Sequence, residues 1–154
     1  MLILGLGNEL LRDDGLGLWA VRILKELVHD GGVTFAESWR GGLELLDLLE
    51  GHERAIIIDA LIPGEEPGRI RRLTLDELEA PAEALTPHRA GLREVAALAE
   101  RLGLDFPREV IIYTVDVADI QTVEEGLSGP VAEALPRLVE LVRAELAAVA
   151  PRSL

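Results

Sequence analysis

A chain of 154 residues that is nearly half apolar but only 3% aromatic can bury a core, and that core must be aliphatic. It has no cysteine, which excludes disulfides, thiolate metal sites and cysteine nucleophiles. A net charge of −13 argues against nucleic acid as a partner, and no run reads as a membrane span or leader, so a single cytoplasmic domain over residues 1–154 is expected.

The apolar pattern alternates between short runs and helical stripes, as in a layered α/β domain. Leu2 to Leu6 reads as a buried strand. A glycine loop follows, and then a helix with Leu16, Trp19, Ala20, Ile23, Leu24 and Leu27 at helical spacing and Asp13 as its expected N-cap. Val33 to Glu37 is a second strand, and Gly41-Gly42 opens a helix over Leu43 to Leu49. Ala55 to Ala60, AIIIDA, is apolar on both faces, as a central parallel strand should be.

Gly68 to Leu75 alternates as a half-exposed strand. Its link to the preceding strand is too short for a crossover helix, so it should run antiparallel at an edge, with Arg69, Arg71 and Arg72 facing water. Thr86-Pro87 has the form of a helix start, with a helix continuing through Leu92 to Leu102. Glu109 to Val115 is a fifth strand. Ser128 and Pro130 begin a long helix with Leu135, Leu138, Val139, Val142 and Leu146 inward, and Pro136 should kink it or mark its true start. These elements make a three-layer α/β/α sandwich on a mostly parallel sheet of about five strands.

Three residues stand where such a sheet places its chemistry. Asp14 lies between the Gly5-Leu6-Gly7 loop and a helix start. That loop lacks the third glycine of a dinucleotide fingerprint, because Leu10 occupies the position, and Asp13 and Asp14 would repel a pyrophosphate. Asp59 ends the central strand, where open α/β sheets bind ligands; capping a turn before Pro63-Gly64 is the plainer role. His88 follows Pro87 at a helix entry, where the positive helix end favours a neutral imidazole; a surface histidine is the plainer reading. Two carboxylates and an imidazole suit a borderline divalent ion such as nickel or zinc, with modest affinity and open positions, so no permanently bound cofactor is expected. Ser38, Ser128 and Ser153 lack the context of a nucleophilic serine.

The segments GLGNELLRDDGLG at 5–17, IIIDA at 56–60, TPHRAGL at 86–92 and LSGPVAEALP at 127–136 resemble, in that order, those of the nickel–iron hydrogenase maturation endopeptidases. The resemblance implies strand order 2-1-3-5-4 with the fourth strand antiparallel. It also implies an activity: removal of a C-terminal extension from a hydrogenase large-subunit precursor after nickel insertion. The nickel is carried by the client and recognised by Asp14, Asp59 and His88, and Asp14 or Asp59 acts in the hydrolysis. One segment departs from the family pattern. Glu37-Ser38-Trp39-Arg40-Gly41-Gly42 replaces an Asp-Gly-Gly-Thr-like stretch. Arg40 there either holds an acidic group of the client or packs with Trp39. The rival functions are a stand-alone zinc metallohydrolase and a nucleotide-binding or adaptor domain.

Overall fold

The computed structural model describes residues 1–62, 65–78 and 91–149. Its strands are β1 (Leu2–Leu6), β2 (Thr34–Ser38), β3 (Arg54–Leu61), β4 (Ile70–Thr74) and β5 (Glu109–Asp116). The helices among the described residues are α1 (Leu16–Leu27), α2 (Leu43–Leu49), α3 (Leu92–Leu102) and α4 (Gly129–Val149), with a 3-10 turn over Arg12–Gly15 ahead of α1. The sheet runs β2-β1-β3-β5-β4, with β4 antiparallel to β5 and the other pairs parallel. The order is the one that the resemblance implies, and the reversed edge strand has the reason given: the chain between β3 and β4 has no room for a crossover helix.

The central strands are apolar on both faces because both are covered. One face packs Ile3, Ile56, Ile58, Ile111 and Val115 against Leu16, Ala20, Val21 and Leu24 of α1 and Val131, Ala134, Leu138 and Val142 of α4. The other packs Leu2, Leu4, Ile57 and Ile112 against Leu45 and Leu49 of α2 and Leu92 of α3. Truncating one such fully buried side chain, Ile57 for example, costs about 2–5 kcal/mol in transfer and cavity terms.

Two local expectations need correction. The inward stripe of α1 is Leu16, Gly17, Ala20, Val21 and Leu24, while Ile23 and Leu27 are exposed. The helix is rolled because Gly17 lies against the sheet: a β-carbon there would overlap the carbonyls of Leu6 and Ile58. Pro136 does not mark the start of α4, which runs through it from Gly129. Pro136 and Ala132 are both exposed, so water can bond the Ala132 carbonyl that proline leaves without a donor. In the described residues α3 begins at Leu92, after Gly91 in the left-handed conformation (φ 84°); the helix start expected at Thr86-Pro87 lies outside the described residues.

Candidate functional site at the carboxyl edge of the sheet

Strands β1, β2, β3 and β5 all end on one edge of the sheet, and the loops there carry the candidate chemistry. The β1 loop closes on Asp14. The Asn8 amide donates to the Asp14 carboxylate at 3.0 Å, with the Asp14 carbonyl at 3.2 Å. Gly7 allows this, with φ 143° and no β-carbon to strike that carbonyl. The Gly7 amide is bonded to the Ser38 carbonyl, and the Leu10 and Leu11 amides to Asn8. A phosphate would need those donors, and the chain has already used them, so the loop is no nucleotide cradle.

Asp13 and Asp14 are adjacent, yet they serve opposite directions. Asp13 is not an N-cap of α1, whose cap position is Gly15 with no side-chain bond. Its fully buried carboxylate instead accepts from the amides of Ala118, Asp119 and Ser128 and from the Ser128 hydroxyl, at 2.7–3.0 Å. Arg12 sets up this division by taking a left-handed φ of 48°, rare for a residue with a side chain, while its guanidinium holds Glu124 at 2.6 Å. Asp13 thus bolts the β1 loop to the segment between β5 and α4. Asp14, 4% exposed, stays with the loop itself, where its carboxylate accepts from the Asn8 amide.

Asp59 lies near the end of β3, fully buried, and its carboxylate accepts from the Ala60 amide at 2.9 Å. The turn that carries Asp14 packs against β3, so the two carboxylates come from neighbouring parts of the same edge. His88 lies outside the described residues. The described chain resumes at Gly91, beside Gly42 at the start of α2. Among the described residues, no three histidine, aspartate or glutamate side chains converge on one point.

A groove of about 330 Å3 flanks the Asp14 loop, lined by Asn8, Leu10, Arg22, Glu37, Ser38 and Trp39. Arg22 bridges Glu37 at 2.9 Å and Glu9 at 2.5 Å; it holds the Glu9 carboxyl below its usual range, and the two carboxylates raise Arg22 in turn. Trp39 is 63% exposed, with the Arg40 guanidinium 4.7 Å from its ring centre. Arg40 also approaches Glu44 at 3.7 Å. Arg40 therefore does stack on Trp39, which is the packing role expected of it. A larger groove of about 910 Å3 between the start of β4 and α4 holds mixed surface charge (Arg69, Arg137, Glu66, Glu133, Glu140) and neither buried aspartate.

Sequence reasoning missed a second buried polar group at this edge. Thr114 and Asp116 of β5 have no exposed surface. Arg71, expected to face water, instead turns inward and bonds the Asp116 carboxylate at 3.1 Å. The same carboxylate oxygen accepts the amides of Glu65 and Glu66. Arg72 lies on the other face, bonded to Glu145 at 2.8 Å. The available signal was the alternation itself: successive arginines on a strand cannot share one side.

The sequence model of the family described as HycI, hydrogenase maturation protease, matches residues 20–145. The hydrogenase expression/formation protein HupD of Bradyrhizobium diazoefficiens is 30% identical over 144 residues, 92% of this chain and 74% of the relative. Among solved structures, the hydrogenase maturating endopeptidase HybD from Escherichia coli superposes with a TM-score of 0.82 at 26% identity, over 97% of this chain and 93% of that one. The [NiFe] hydrogenase maturation protease HybD from Thermococcus kodakarensis gives 0.72 at 32% identity, over 93% and 96%.

Proposed function

The chain belongs to the hydrogenase maturation protease family, and from that premise we propose that it removes a C-terminal extension from a nickel–iron hydrogenase large-subunit precursor once nickel is in place. It is a hydrolase of peptide bonds, as its relatives are named. The observation that carries the finer reading is the pair Asp14 and Asp59. Two buried carboxylates, one in the turn after β1 and one near the end of β3, each accept from a backbone amide at neighbouring parts of the carboxyl edge, where open sheets place their chemistry.

The client brings the metal as part of the substrate. Asp14, Asp59 and His88 meet it and bring the scissile peptide to the carboxyl edge. Hydrolysis needs a base that takes a proton from water as its oxygen attacks the peptide carbonyl, followed by return of a proton to the departing amine. An aspartate held by an amide, as Asp14 is by Asn8 and Asp59 by Ala60, supplies an oriented acceptor for that proton. The cytoplasm, where precursor and protease would meet, is part of the same proposal.

The test is processing of the precursor, loaded with nickel or without, followed by intact mass. Loss of a C-terminal peptide only from the nickel-loaded precursor is the expected result. Cleavage regardless of nickel would remove the metal-checking role, and stoichiometric zinc in the purified protease would favour a stand-alone metallohydrolase.

A further inference from the structure

Three buried polar atoms at the β4–β5 end of the carboxyl edge have no hydrogen-bond partner: Thr114 Oγ1, Asp116 Oδ1 and Arg71 Nε. Register brings them together. Thr114 is the direct neighbour of Asp59 on β3 and of Arg71 on β4. Paired residues project from the same face of a sheet, and strands lie about 4.8 Å apart, so the Thr114 side chain is flanked on that face by those of Arg71 and Asp59. Asp116 follows two residues later on that face and already holds the far end of Arg71.

Hydrogen-bonding capacity orders these groups in one way. An arginine only donates, an ionised carboxylate only accepts, and a hydroxyl does both. A chain from Arg71 Nε–H to Thr114 Oγ1, and from the Thr114 O–H to the Asp59 carboxylate, satisfies two of the orphaned atoms at once. Buried orphans are rare in native proteins, and valine would fill the same space without one.

We propose that Thr114 is a positioning residue for the processing reaction: when the client engages, its hydroxyl accepts from Arg71 and donates to Asp59, fixing the direction of that carboxylate. The proposal rests on the reading of Asp59 as part of the site. Asp116, which pins the guanidinium at 3.1 Å, holds the relay's outer end in place.

The experiment compares wild type, Thr114→Val, Thr114→Ser and Asp59→Asn on the nickel-loaded large-subunit precursor, with Tm recorded for each. Thr114→Val should fold with a Tm equal to or above wild type and leave KM unchanged. It should lower kcat about 10- to 100-fold, as loss of an orienting partner does elsewhere. Thr114→Ser, which keeps the hydroxyl, should restore kcat. Wild-type kcat in Thr114→Val beside an inactive Asp59→Asn overturns the relay and leaves the reading of Asp59 intact. Full activity in both variants overturns that reading and the relay with it.

Discussion

The Asp13 carboxylate accepts two hydrogen bonds from Ser128, one from its amide and one from its hydroxyl, both at 2.7 Å and across 115 residues of chain. The contact joins the loop after β1 to the start of α4, and so clamps two of the loops that frame the carboxyl edge. Asp13→Ala should cost about 3 kcal/mol or more, because it strands buried donors as well as losing charge-assisted bonds. Ser128→Ala alone should cost about 1.5–3 kcal/mol, and much less in the Asp13→Ala background. Denaturant unfolding of the four-member cycle measures the coupling; additive costs would sink the clamp.

Asp14→Asn and Asp59→Asn should each keep the fold and lose processing by at least about 100-fold, the scale of general base catalysis. Intact mass of the client and thermal melting of the variants check the two halves separately. A fully active Asp59→Asn would refute its role.

Gly17→Ala should be among the most damaging single changes in the protein. A methyl there drives α1 away from the carbonyls of Leu6 and Ile58, backbone atoms that cannot yield as a side-chain end would. A loss of about 3 kcal/mol or more is expected, at the upper end for overpacking. A Gly17→Ala protein that melts with the wild type would show that the helix can be lifted at no cost.

Two groups link stability to pH at its extremes. Burial pushes the Tyr113 phenol up to about 12 from an ordinary 10, with help from its 2.8 Å bond to Glu145. Between those values the folded state holds a proton that the unfolded chain has released. This contribution is therefore complete below pH 10 and lost as pH rises through 12; Tyr113→Phe should flatten the alkaline fall in stability.

At the other end, the Thr122 hydroxyl, with the Thr122 and Gln121 amides, holds Asp119 down at about 2, against an ordinary 3.8. Its contribution is present above about pH 4 and lost as pH falls through 2. Hydrogen exchange at Gln121 and Thr122 across that window should show the turn opening first in Asp119→Asn, even at neutral pH.

Much of the frame was legible in the chain. AIII before Asp59 marks a doubly covered strand, and the short link before β4 dictates its reversal. What was not legible depends on contacts between distant segments. Trp19, Ile23 and Leu27 form a plausible stripe, but the close approach of Gly17 to β3 rolls α1 so that Ile23 and Leu27 face water. Asp13 has the position of a cap, and only the left-handed turn at Arg12 sends it to Ser128. Thr114 and Asp116 look like ordinary strand residues until register sets them beside Asp59 and Arg71. The placement of Asp14 and Asp59 near one edge follows from the general rule for open sheets; His88 lies outside the described residues.

The division of labour between Asp13 and Asp14 makes the β1 loop a ruler. Loops of this kind ordinarily absorb insertions and deletions, because the chain can bulge into solvent. Here one residue gained between Asn8 and Asp13 would move Asp13 into the place of Asp14, and one lost would move Asp14 into the place of Asp13; either way one of the two positions loses its carboxylate. Substitutions along the loop's outer surface can accumulate, but its length cannot drift.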